Sequence, residues 1–193
     1  MNTNEVICNR ALEKLGYDKG RYDIISPNNH ANMAQSTNDV FPTSMKLTAI
    51  ALTDKLVAEL TLLRDVFKQK GAEFKHVIKM GRTHLQDAVP ITLGQEFDAY
   101  ARVTQRAIDR IQNAADALHH LNMGATAVGT GLNAEPMYIK NVVKNISDLT
   151  GKHFDSADSL VDATQNCDQM AELSATLRTS ALAFIKIAND LRL

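Results

Sequence analysis

The chain has 193 residues, 45% of them hydrophobic and 22% charged, with a formal net charge of −1. That length suits one large domain or a substantial piece of a bigger one. The near-neutral balance gives no electrostatic footprint for nucleic acid or an anionic membrane surface. The apolar runs are far short of a membrane span and charges interrupt each of them. No basic-then-apolar leader is visible at the start. Cys8 and Cys167 stand far apart without metal-site spacing, as reduced thiols of a cytosolic protein do. The expectation is a cytoplasmic protein with no nucleic-acid or membrane partner, no metal and no cofactor.

In chain order, a short helix is predicted at residues 4–15. Residues 26–43, SPNNHANMAQSTNDVFPT, are crowded with Asn, Ser and Thr and read as a loop. From residue 43 to 74, Met45, Ala49, Leu52, Leu56, Leu60, Leu63, Val66 and Phe67 recur at helical spacing with no proline after Pro42. A helix of roughly thirty residues is about 45 Å long at 1.5 Å per residue, which points to an extended bundle. A second polar string follows at residues 81–90, GRTHLQDAVP, also read as a loop. The next long helix is predicted at residues 93–122, with Phe97, Tyr100, Val103, Ile108, Ile111, Ala115 and Leu118 on its apolar face. Residues 123–133, MGATAVGTGLN, form a glycine-rich loop. It follows a helix and lacks the Lys-Ser/Thr of a phosphate cradle, so a tight connection between packed helices is the better reading. A shorter helix at residues 137–149 follows Pro136, and the last helical pattern covers residues 159–193, with Met170, Leu173, Leu177, Leu182 and Ile185. Only residues 76–78 carry a strand signal. The predicted class is all-α, a long-helix bundle.

Both polar strings sit just ahead of long helices. Ser36, Thr37 and Asn38 have two readings: caps for the helix that follows, or uncharged donors offered to a carboxylate at a helix N-terminus. The second string places Arg82, Thr83, His84, Gln86 and Asp87 within six positions. A lone histidine is more often structural than catalytic, and His30, His76, His119, His120 and His153 carry that reading. His84 differs in having a hydroxyl and two potential orienting partners beside it.

Taken in order, NTNEVICNRALE, QSTNDVFPT, GRTHLQDAVPITLGQEF, GATAVGTGLN and KIANDLRL resemble the fumarase/aspartase superfamily of lyases along nearly the whole chain. Within it, Ala125 in the glycine loop, the string at residues 162–165 and the terminal residues 190–193 are similar to the ammonia-lyase branch rather than to class II fumarases. The resemblance implies a homotetramer with each active site assembled from three subunits, and reversible elimination of ammonia from L-aspartate to give fumarate. It assigns substrate binding to Ser36, Thr37 and Asn38, and the candidate catalytic positions to Thr83 and His84, on a loop from a different subunit. It also implies that both ends are truncated. The signature loop carrying the serine taken as general base has no match here, so the chain alone is expected to be inactive. Asn28, Asn29 and His30 depart from the family pattern near a secondary dicarboxylate site, where a carboxylate is more usual at Asn29. That leaves an activator or metal role there without support. A class II fumarate hydratase and a non-catalytic helical assembly module are the alternative readings.

Overall fold

Helices dominate, and most of them fall where apolar periodicity predicts. The computed structural model describes residues 2–193. In chain order its elements are α1 (Asn2–Lys14), α2 (Thr37–Glu73), β1 (Ile78–Thr83), β2 (Gln86–Thr92), α3 (Leu93–Asp116), β3 (His120–Leu121), α4 (Pro136–Thr150), β4 (Asp155–Ser156), α5 (Leu160–Gln165) and α6 (Asp168–Arg192). They divide into two units, Met1–Met45 with His119–Asn166, and Lys46–Leu118 with Cys167–Leu193. Among the described residues no helix is long and apolar enough to cross a membrane.

The second unit is built on α3. Tyr100, Ala101, Thr104, Ala107, Ile108, Ile111, Ala114 and Ala115 recur at three- and four-residue intervals and are buried. Phe67 of α2, Tyr100 and Ala101 of α3 and Ile187 of α6 form one core cluster, with Phe97, Val103 and Phe184 against it. Leu60, Ile108 and Ile111 form another. The Phe97 ring centre lies 5.6 Å from those of both Phe74 and Tyr100, tilted to one and edge-on to the other, as aromatic quadrupoles favour. A reciprocal cap starts α3: Thr92 Oγ1 accepts from Gln95 N at 3.1 Å and Gln95 Oε1 accepts from Thr92 N at 2.9 Å.

Between α2 and α3 the structure departs from the predicted loop. Residues 78–92 form an antiparallel hairpin of β1 and β2, with a register shift between Met80 and Arg82. Its residues are largely exposed, so no in–out alternation marks the strands in the sequence. The tip residues His84 and Leu85 both take left-handed backbone angles, φ +48° and +62°. A two-residue hairpin of the primed type needs this, usually with Asn-Gly. At the root, Leu93 N donates to Val77 O at 2.8 Å and Gly94 N to Phe74 O at 3.1 Å.

In the first unit, α1 buries Cys8 and Leu12. One π turn, Pro27–Ala31, is capped by Ser26. The opening of α2, the parallel pair β3 and β4, α4 and α5 complete the unit. The sequence predicts one helix over residues 159–193. Instead Asn166 adopts an extended conformation, with its N–H closing onto Asp162 O, and α5 ends before α6 begins.

Candidate functional site

The string at residues 36–39 is a helix cap that leaves Thr37 and Asn38 exposed. Ser36 O accepts from Val40 N at 3.0 Å, and Ser36 Oγ accepts from Asn38 N at 3.2 Å. Asp39, three residues on, accepts from Ser36 N at 2.8 Å. A capping serine with an acid at the third helical position satisfies donors that a helix start otherwise leaves open. The helix therefore begins at Thr37, not near Thr43 as the sequence predicts, and it encloses Pro42. Proline has no N–H, so the Asn38 carbonyl loses its helical donor. Asn122 Nδ2 replaces it at 3.0 Å, and Asn38 Nδ2 donates to Ala127 O at 2.6 Å.

The glycine-rich loop is more than a connection. Asp39 Oδ2 accepts from Gly124 N at 3.2 Å and Thr126 N at 3.0 Å. Both residues have left-handed φ, +91° and +59°, at no cost for glycine and against the preference of threonine. Asp39 and Asn122 are fully buried, Ser36 is half-buried, and Thr37 and Asn38 are exposed. Burial, and after it the negative charge of Asp39, pushes the Tyr138 phenol above its usual range. This unit thus offers an exposed Thr37 hydroxyl and an exposed Asn38 amide on a buried, hydrogen-bonded foundation. Uncharged hydrogen-bonding groups of this kind suit a carboxylate, an acceptor-only ligand.

In the second unit, Thr83 ends β1 and His84 begins the hairpin tip; both are exposed. Among the described residues the His84 imidazole meets no hydrogen-bond partner. Beside the hairpin is a cavity of about 550 Å³ whose lining includes Lys79, Arg82, His84, Glu96, Tyr100 and Lys186. Lys79 Nζ bridges to Glu96 Oε2 at 2.6 Å, and the Tyr100 hydroxyl donates to Glu96 Oε1 at 3.0 Å. Burial first, then the bond to and charge of Glu96, with Asp190 adding to both, raises the Tyr100 phenol above its ordinary range.

The structure thus brings Ser36, Thr37 and Asn38 together in the first unit, and Thr83 with His84 in the second. His30 lies in the π turn, where its Nδ1 accepts from Ser26 N at 2.8 Å. Sequence reasoning misses Asp39, Pro42 and Asn122 as the support of residues 36–38. The serine-x-x-aspartate spacing announces the cap, but nothing local announces partners on residues 122–127.

The lyase family profile matches residues 1–193. The chain is 58% identical over its full length to an aspartate ammonia-lyase of Bacillus subtilis (strain 168), and spans 41% of that protein. A fumarate lyase:delta crystallin from Brucella melitensis, solved bound to cobalt, superposes with a TM-score of 0.97 at 44% identity, over 100% of this chain and 42% of that one. A class II fumarase from Schistosoma mansoni superposes with a TM-score of 0.90 at 35% identity, over 98% of this chain and 43% of that one.

Proposed function

The chain belongs to the lyase family, within the fumarase/aspartase superfamily, and on that premise we propose that it is part of an aspartate ammonia-lyase. The observation that carries this reading is the 58% identity over the whole chain to the Bacillus subtilis aspartate ammonia-lyase, and the uncharged groups at the start of α2, tied down by Asp39, suit its chemistry. In the elimination, a base takes a proton from Cβ of L-aspartate and the electron pair moves into the neighbouring carboxylate. The resulting aci-carboxylate collapses to the C=C bond of fumarate as the C–N bond breaks and ammonia leaves. The added negative charge is best met by donors already in place, because they need not reorganise as it develops. Ser36, Thr37 and Asn38 hold a substrate carboxylate in this scheme. Thr83 and His84, contributed by another subunit of a homotetramer, complete the donor set. The leaving amine is already an ammonium near neutral pH, so these residues need supply no strong acid.

Class II fumarate hydratase is the second reading, favoured by the likeness to the Schistosoma mansoni fumarase. It shares the same donors and differs in expelling water. The greater identity to the Bacillus subtilis aspartate ammonia-lyase supports the first reading. Fumarate absorbance, followed with the full-length protein on L-aspartate and L-malate side by side, separates them: fumarate from aspartate alone is expected, and fumarate from malate alone moves the assignment to the hydratase. The 193 residues alone, run as control, are expected to turn over neither substrate, since no segment in them matches the serine-bearing loop.

A further inference from the structure

We propose that two buried residues, Asp39 and Asn122, are positioning residues that set where the donors of residues 36–38 stand without touching substrate themselves. The inference rests on the reading of those donors as a carboxylate site. Asp39 does more than a cap requires. One oxygen accepts from Ser36 N at 2.8 Å; the other accepts from Gly124 N at 3.2 Å and Thr126 N at 3.0 Å, on a loop 85 and 87 residues further along the chain. A cap needs only the first bond.

Asn122 makes the second tie. Its Nδ2 donates to the Asn38 carbonyl that Pro42 leaves without a helical donor, and to Thr164 Oγ1 of α5 at 3.1 Å. Asn38 is therefore held through its own carbonyl, through its side chain on Ala127 O, and through the neighbouring Asp39. Such a string cannot shift without breaking a buried hydrogen bond.

The test uses the full-length protein, with L-aspartate as substrate and succinate as a non-reacting dicarboxylate inhibitor. Asp39→Asn keeps the size of the side chain but turns an NH2 toward N–H donors, so at least one donor loses its acceptor. KM for L-aspartate and Ki for succinate are expected to rise about tenfold or more, in line with the cost of a misplaced binding group, and kcat falls as well, because the same donors meet the charge that develops on the carboxylate. KM and Ki do not depend on how much enzyme is folded, whereas a residue that only holds the fold would change yield and thermal midpoint and leave both constants alone. Pro42→Ala keeps folding safe, because alanine is the better helix former. It supplies the Asn38 carbonyl with a backbone donor that competes with Asn122, and the same two constants should rise about threefold by the same misplacement. Constants unmoved in both variants, or in Pro42→Ala alone where Asp39→Asn does not fold, overturn the proposal. Wild-type protein that neither converts L-aspartate nor binds succinate removes the carboxylate reading and the proposal together.

Discussion

Lys46 is an uncommon residue: a lysine 6% exposed, on the helix that carries the candidate donors. Its ammonium donates to Gln169 Oε1 at 2.7 Å, beside the start of α6, where the helix end itself favours anions. Burial pushes its pKa below the ordinary 10.5, and the neighbouring Asp168 and Cys167 offset that only in part. The folded protein therefore holds this proton less tightly than the unfolded chain does. Between the depressed value and 10.5 the unfolded state binds more protons, so the contribution of Lys46 to stability rises with pH there. Below the depressed value the cost of the buried charge is fully present. Lys46→Met has no such proton to lose. Urea unfolding of both proteins at several pH values should show wild-type stability climbing relative to Lys46→Met as pH approaches 10.5. Parallel curves over that interval would mean that burial does not depress Lys46.

At the scale of elements, what the sequence reveals depends on whether an element has a buried face. α3 is legible because its apolar positions repeat on one side of a helix, and its Thr-x-x-Gln cap is legible for a local reason, the spacing of two side chains. The hairpin is not legible: its strands are exposed, and its turn is made by His84 and Leu85 in place of the glycine-bearing pairs that mark such turns. The start of α2 is misread for the opposite reason, since Pro42 looks like a boundary. It is tolerated inside the helix because Asn122, distant in sequence, takes over the carbonyl it frees. What holds the hairpin root is likewise a tertiary contact. A Cβ on Gly94 would lie 2.5 Å from Gly71 O and 2.8 Å from Lys75 Cα, so the end of α2 and the start of α3 approach closer than any side chain allows. Gly94→Ala is expected to destabilise the protein by about 1–3 kcal/mol, as overpacking of a tight contact does. It should also loosen the bonds from Leu93 N and Gly94 N that close the root. Chemical denaturation reads the first effect, and faster amide exchange at those two positions reads the second. A stability within 0.5 kcal/mol of wild type, about the spread for substitutions that disturb no contact, would mean that the two helices separate freely at this point.

At the scale of the whole molecule, the remaining question is what the long helices do with their uncovered apolar side chains. Leu52 and Leu62 of α2 are 59% and 61% exposed, and Leu182 and Ile185 of α6 are 58% and 57% exposed. These residues lie in the second unit, on helices whose other side chains already fill its core. Scattered exposed leucines need no explanation, but several along two helices amount to a surface that water favours covering. Covering a side chain that is about 60% exposed contributes about 1–2 kcal/mol. These four, joined by Leu56, Leu63, Val66 and Leu177 on the same two helices, therefore reach the order of what association costs, about 4–15 kcal/mol. The isolated 193-residue chain is therefore expected to self-associate at micromolar concentration, with light scattering after size exclusion giving a mass above that of one chain. Replacing Leu52 and Leu182 together by lysine should shift it toward the monomer while the helical circular dichroism stays the same, because neither side chain is part of the buried core. A wild-type chain that runs as a stable monomer under those conditions would mean that these faces are too dispersed to act as one surface.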